Sequence, residues 1–305
     1  MTHDDKLTAF QNARPQLVGV AYRLLGSISE AEDAVQDTSV KWFGLSPPMP
    51  DNPVAWLTTV CTNRCLDILK SSHRQKMDYI GPWLPDHLAT ETALDAEQSL
   101  EIASSLTTAF LLMMERLTPK ERAAYLLHDI FDMSYGEVAN CLGLSEVNCR
   151  KLASRARRMI GQENVRFVPD EAQQRKLLAA FQNALVSGSA DQLTRMLAEE
   201  ADLRADSGGK VVAITQVLEG ADAVAGFITG TLSIAWAETA MTVQMVNGQL
   251  GLVLRDNDTP FAVVTFGYDR SGLVQSVFIQ RNPSKLANSE GVAARPDVNG
   301  GLTLN

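Results

Sequence analysis

The hydrophobic period of this chain changes once along its length, and that change constrains the fold more than any other feature. Through about residue 160 apolar residues recur at helical spacing between well-marked start and stop signals. After Pro169 two further stretches, 171–187 and 189–200, keep that spacing, and from about residue 203 the pattern alternates as strands do. Segments 241–246 and 249–255 flank Asn247-Gly248, and segments 261–269 and 273–280 flank Arg270-Ser271-Gly272, which reads as two hairpins in succession. Helices followed by an antiparallel sheet imply all-α modules and then a separate α+β domain. A chain of 305 residues suits two or three such units.

The helix starts are explicit. Ser29 to Glu32, Thr118 to Glu121 and Ser134 to Glu137 each read as a capping box, in which a hydroxyl and a Glu three residues on satisfy each other's free backbone amides. Asn52-Pro53 supplies an N-cap followed by proline at the first helical position. Gly143 is a natural stop, and Ser145 opens the next helix. Residues 45–53, with four prolines, read as a loop, and the last residues, 287–305, as a flexible tail.

The net charge of −9 argues against a simple nucleic-acid binder, but its distribution does not. Residues 61–77 carry four basic groups against one acid, and residues 145–166 carry six against two. Between them, residues 78–101 hold six acids and no Lys or Arg, an acidic connector between two basic modules. The four cysteines, in a chain that opens without a signal peptide, read as reduced cytosolic thiols. Cys61, Cys65 and His73 lack an evident fourth ligand, so neither a metal nor a cofactor is expected. No apolar run reaches the ~20 residues that span a bilayer, so a soluble, cytoplasmic protein with no membrane partner is expected.

The most informative stretch is 118–158. A helix from Ser134 to Gly143, a short turn and a second helix from Ser145 form a helix-turn-helix. Val138, Ala139, Leu142, Leu144, Val147 and Leu152 are placed to fold the two helices together and onto Leu126, Leu127 and Ile130. The second helix then presents Asn148, Arg150, Lys151, Ser154, Arg155, Arg157 and Arg158, its early turns at base edges and its later cations on phosphates. A basic amphipathic helix alone would be only a solvated face; the capped helix before it disfavours that reading. Ser134, Tyr135, Glu137, Ala139, Leu142, Gly143, Ser145, Arg155, Ala156 and Arg157 resemble the signature of region 4 in sigma factors of the extracytoplasmic-function (ECF) group. The resemblance implies that this module reads the −35 promoter element.

Residues 17–42 resemble the region 2 helices of the same family, with Glu32, Asp33, Gln36 and Asp37 in the place of its polymerase-docking run. Acids and amides on one helix face suit a basic partner. Residues 52–76 resemble the helix that opens and holds the −10 element, with Asn63, Arg64, Asp67, Lys70 and Arg74 sharing a side. Cations there would follow the backbone while Asn63 meets an unstacked base. Trp42 and Trp56 could stack on that base; packing in the core is the favoured reading for both. The partners implied are core RNA polymerase, through its β′ clamp and β flap, and promoter DNA.

Residues 81–88 resemble the linker signature of the ECF subgroup that carries a SnoaL-like C-terminal domain, and 206–210 and 282–286 resemble two further signatures of that subgroup, with Ser207 and Ser284 as departures. The implied architecture is multidomain: two all-α sigma modules, then an α+β cone-shaped SnoaL/NTF2-like domain. Its divisions are region 2 over 6–79, the acidic linker over 80–103, region 4 over 104–165, the SnoaL-like domain over 170–286 and the tail. By that resemblance Trp83, Leu84, Pro85 and Asp86 would meet Asp206, Gly208, Gly209 and Lys210 together with Asn282, Pro283, Lys285 and Leu286. The added domain would modulate the sigma modules in cis, in place of a separate anti-sigma factor. Residues 170–305 contain no His, no Cys and one Tyr, and Asp202, Asp206, Glu238 and Asp256 form no paired motif, so catalysis is not expected. A ligand-sensing helix-turn-helix regulator and a SnoaL-type enzyme are the alternatives.

Overall fold

The computed structural model describes residues 2–88, 104–163 and 167–291. The acidic connector beyond residue 88 and the end of the tail lie outside them. Three long helices come first, α1 (His3–Leu25), α2 (Ile28–Phe43) and α3 (Pro53–Met77). Next come α4 (Thr108–Glu115), α5 (Pro119–Tyr125) running into a π-helical turn over Leu126–Ile130, α6 (Tyr135–Leu142) and α7 (Glu146–Glu163). Thr118–Glu121 and Ser134–Glu137 form reciprocal capping boxes, Gly143 closes α6 in the left-handed conformation at φ 62°, and Asn52 caps α3 through the Ala55 amide at 3.0 Å. The box expected at Ser29–Glu32 does not form. Helix α2 starts two residues earlier, with Ser27 at its N-cap making no side-chain cap, and its Ile28 amide is bound at 2.8 Å by the carboxylate of Asp86. A distant residue of the linker therefore caps this helix.

The C-terminal half comprises α8 (Glu171–Ser187), α9 (Asp191–Thr194), β1 (Leu197–Asp206), β2 (Leu218–Glu219), α10 (Ala221–Phe227), a π turn over Ile228–Leu232, α11 (Ser233–Trp236), β3 (Ala240–Val246), β4 (Gln249–Asp256), β5 (Thr259–Tyr268), β6 (Val274–Gln280) and α12 (Pro283–Gly291). This is the expected α+β domain, with three corrections. Helical structure over 189–200 stops at Thr194, and β1 begins at Leu197 because it pairs with β6. That pairing is parallel, so the sheet, in the order β2-β1-β6-β5-β4-β3, is mixed rather than antiparallel. Residues 221–236, read among the strands, are helical. Both hairpins form where expected, with Asn247 and Gly248 at φ 50° and 75°, as a tight hairpin turn of the primed type requires.

Strand alternation on β5 shows how the halves meet. Ala262, Val264 and Phe266 face the domain's own core, where the Phe266 ring meets Phe181 of α8 edge-on at 5.7 Å. Thr265 and Gly267 face the other way, toward α4: the hydroxyls of Thr265 and Thr108 are 3.1 Å apart, and Gly267 leaves room for Ala109. The helical modules share one apolar core that runs from Leu17 and Leu24 through Cys61 and Cys65 to Val138 and Cys141. They are packed on one another rather than separated by the connector.

Candidate nucleic-acid interface and the linker clamp

The second helix of the helix-turn-helix, α7, buries Cys149, Ala153, Ala156 and Ile160. The opposite face carries Asn148, Arg150, Lys151, Ser154, Arg155, Arg157 and Arg158, all exposed. Tyr135, at the start of α6, orders part of it: the Arg150 guanidinium lies 4.3 Å over its ring, and Arg157 donates to its hydroxyl at 2.8 Å and to Asp129 at 2.6 Å. The Asp129 hydrogen bond raises the pKa of Arg157, which stays charged. One expected core residue is misplaced: Val147 is 60% exposed, because Cys149 takes the inward position on the first turn of α7. An exposed apolar side chain beside Asn148 suits contact with a thymine methyl.

On α2, Asp33 and Gln36 are exposed and Glu32 and Asp37 half-buried; Asp37 pairs with Arg64 of α3 at 2.7 Å. Lys70 pairs with Asp67 at 2.9 Å in a solvated contact. The side chain of Arg74 lies outside the described residues. Asn63 is not free to meet a base in this arrangement. Its amide nitrogen donates to the Thr59 carbonyl at 2.9 Å and to the Cys141 carbonyl at the end of α6 at 3.0 Å, so the helix-turn-helix sits against α3. Trp42 is fully buried with its indole N–H on the Lys6 carbonyl, and Trp56 packs against it at 5.6 Å, so both belong to the core.

Residues 79–88 run between α1 and α2 on one side and the C-terminal sheet on the other. Asp206, at the end of β1 and fully buried, accepts from the Tyr79 hydroxyl at 2.6 Å, the Leu84 amide at 2.9 Å and the Lys285 ammonium at 2.7 Å. Lys285 also donates to the Leu84 carbonyl and lies 4.4 Å over the Trp83 ring. Burial lowers the pKa of Lys285, and its contact with Asp206 opposes that shift. Asn282 donates to the Tyr79 hydroxyl at 2.8 Å. Gly208 and Gly209 adopt φ 57° and 69°, and a Cβ on them would collide with Asn282 and Ile80 at 2.4 and 2.8 Å. Leu84, Pro85 and Asp86 are buried, and Trp83 packs on Gly26. The Lys210 ammonium donates to the Ser284 hydroxyl at 2.5 Å; Pro283 is exposed as the first residue of α12; and Leu286 packs with Val246, Val253 and Val263.

A second set of contacts had no sequence signal. Asn247, read only as a turn residue, is fully buried and pairs with Leu88 at both backbone and side chain, at 3.0 and 2.8 Å. The Tyr22 hydroxyl of α1 donates to the Asp86 carbonyl at 2.6 Å, and Asn247 donates to the same oxygen at 3.2 Å. Burial raises the Asp86 carboxyl and holds the buried His87 imidazole down at about 3. Gln280 reaches the Pro85 carbonyl at 3.4 Å.

Residues 9–75 match sigma-70 region 2 and residues 107–160 match sigma-70 region 4. The ECF RNA polymerase sigma factor SigJ of Mycobacterium tuberculosis (strain ATCC 25618 / H37Rv) is 34% identical over 251 residues, 81% of this chain and 80% of that protein. The chain belongs to the ECF RNA polymerase sigma factors. The crystal structure of SigJ superposes on this sigma factor with a TM-score of 0.71 at 31% identity, covering 93% of this chain and 99% of that one, so the fused C-terminal domain is part of the shared architecture. As a sigma factor it works with RNA polymerase on promoter DNA. No described helix is long and apolar enough to cross a membrane.

Proposed function

We propose that this sigma factor is held by its C-terminal domain in a closed state that cannot read a complete promoter, and that release of the linker clamp permits initiation. The observation that carries this is Asn63 of α3 bonded to the Cys141 carbonyl of the helix-turn-helix, inside one shared core. Elements centred near −35 and −10 lie ~25 base pairs, or roughly 85 Å, apart on B-DNA. Modules packed core to core do not span that distance. With residues 79–88 clamped, residues 89–107 alone would have to bridge the modules, and these reach only about 63 Å when fully extended. Freeing the clamp adds ten residues and roughly 33 Å.

In the open state α7 reads −35 DNA through Asn148, Arg150, Lys151, Ser154, Arg155, Arg157 and Arg158, with Val147 on a thymine methyl. Helix α3 offers Asn63, Arg64, Lys70 and Arg74 to the melted −10 strand, and Asp67 orients Lys70. Glu32, Asp33, Gln36 and Asp37 dock on the β′ clamp, and region 4 docks on the β flap. The C-terminal domain regulates in cis without catalysis and without a separate anti-sigma factor, in the compartment that holds the polymerase. A cavity in that domain lined by Ala205, Val212, Ile214, Phe227, Trp236 and Arg281, among others, presents no carboxylate, His, Cys or Tyr for acid–base work, which supports a binding role. The test is promoter-specific transcription with core polymerase, comparing the full chain with its Asp206→Asn and Lys285→Met variants. Higher transcript from both variants is expected. Unchanged output from both would remove the clamp from regulation, and no promoter-specific transcript from any version would refute the promoter-reading roles.

A further inference from the structure

Tyr135, the first residue of α6, is engaged at its ring and at its hydroxyl by three different elements. Ser134 caps α6 by accepting from the Glu137 amide, which fixes where the Tyr135 side chain starts. The π turn over Leu126–Ile130 presents His128 to the loop before α6, where its Nδ1–H donates to the Met133 carbonyl at 2.7 Å. The His128 ring stacks on Tyr135 with centroids 3.8 Å apart and planes 28° from parallel. The Arg150 guanidinium lies 4.3 Å over the same ring. Two groups so close to one ring centre cannot share a face, so His128 backs the ring and Arg150 takes the other side. The hydroxyl, at the ring edge, accepts from Arg157, which also donates to Asp129 of the π turn.

This stack holds one cation of the exposed face in place. Arg150 also reaches Glu146, one turn earlier on α7, at 3.5 Å, but both side chains are more than half exposed and such a contact is weak. A guanidinium over an aromatic face keeps a preferred position. To read a base it must present its fork in one orientation, and holding it there beforehand lowers the entropy lost on contact. Arg150 lies on the second turn of α7, between Asn148 and Lys151, where a recognition helix meets base edges. Tyr135 itself is half-buried beneath it.

We infer that Tyr135 is a positioning residue for −35 recognition: its ring holds Arg150 where the guanidinium reads one guanine of the element. The inference rests on the promoter-reading role of α7 proposed above, and adds the residue that sets specificity at one base pair. Replacing a purely structural Tyr135 would weaken binding to every sequence alike. Replacing a positioning residue acts at the base pair that Arg150 reads and nowhere else.

The test is mobility shift of the polymerase holoenzyme, formed with the full chain, on promoters in which each −35 base pair is substituted in turn. The native protein should prefer guanine at one position by about tenfold, and Arg150→Ala should abolish that preference. Tyr135→Leu should reduce it about threefold or more, leave the other positions unaltered and add nothing in the Arg150→Ala background. Tyr135→Phe, which keeps the ring, should retain it. A loss equal at every position from either substitution, or losses from Tyr135→Leu and Arg150→Ala that add, overturns the inference. Arg150→Ala without effect on any sequence instead overturns the −35 reading on which it rests. Nuclear magnetic resonance of the free native chain reads the stack without a substitution. The Arg150 side-chain protons should be shifted upfield by the ring, and unshifted protons overturn the inference even where Tyr135→Leu does not fold.

Discussion

Replacing Asp206 by Asn keeps the shape of the side chain and removes the charge at the centre of the clamp. In the native protein this fully buried carboxylate accepts from Tyr79 at 2.6 Å and Leu84 at 2.9 Å while pairing with Lys285 at 2.7 Å. An amide retains one acceptor oxygen and turns an NH2 toward a donor, so at least one charge-assisted bond to the linker is lost, about 2 kcal/mol. Asp206 and Lys285 both belong to the C-terminal domain and become solvated together when the linker leaves, so the loss falls on linker docking. About 2 kcal/mol shifts the closed-to-open ratio roughly 30-fold. Hydrogen exchange of the Leu84 amide in the full chain reads that ratio directly, and the variant should exchange faster by a factor of that order. Exchange at Leu84 unchanged in Asp206→Asn, with the fold intact, would refute the reasoning.

Acidification should act on the same element through His87. Burial, aided by the Lys285 charge and opposed by Asp206, holds its imidazole at about 3, whereas a released imidazole titrates near 6.5. The released state therefore binds more protons between those values, so docking is strongest above about pH 6.5 and weakens as pH falls, by about 1.4 kcal/mol at pH 5.5. A pH series of Leu84 exchange checks this, and His87→Gln should flatten the imidazole's share while leaving that of Asp86. Gly208→Ala forces a side chain into a φ 57° position 2.4 Å from Asn282 and should lower the melting temperature or free the linker; calorimetry and exchange together read either, and a silent substitution would contradict the packing. Arg150→Glu on the exposed face of α7 should cut −35 binding at least tenfold with the fold unchanged, measured by promoter mobility shift with the polymerase holoenzyme.

Much of the helical half was legible because its signals are local. Capping boxes at Thr118 and Ser134, the left-handed stop at Gly143 and the Asn247-Gly248 turn each act within a few residues. The misses are non-local. Residues 197–206 carry Glu199 and Glu200 at helix-compatible spacing, and only pairing with β6, some 75 residues later, makes them a strand. Residues 221–236 contain Gly226 and Gly230 and a π turn, which weaken the helical pattern. The start of α2 is set by Asp86, a linker residue with no mark in the local sequence. At the clamp, Asp206, Lys285, Asn282 and the two glycines were readable from their signatures, but Tyr22, Tyr79 and Asn247 were not, since their partners lie 64 to 225 positions away. Asn63 was read for contact with an unstacked base; its bond to the Cys141 carbonyl is one that no spacing within α3 announces.

The central claim is that the free full-length chain keeps its two DNA-reading modules together and parts them only on the polymerase. Spin labels at the exposed positions Ser71 on α3 and Lys120 on α5, neither assigned a DNA contact, measure their separation. The account predicts one narrow, short distance in the free chain and a much longer one, approaching the spacing of the promoter elements, in the complex with core polymerase and promoter DNA. A long or broad distribution in the free chain would contradict it.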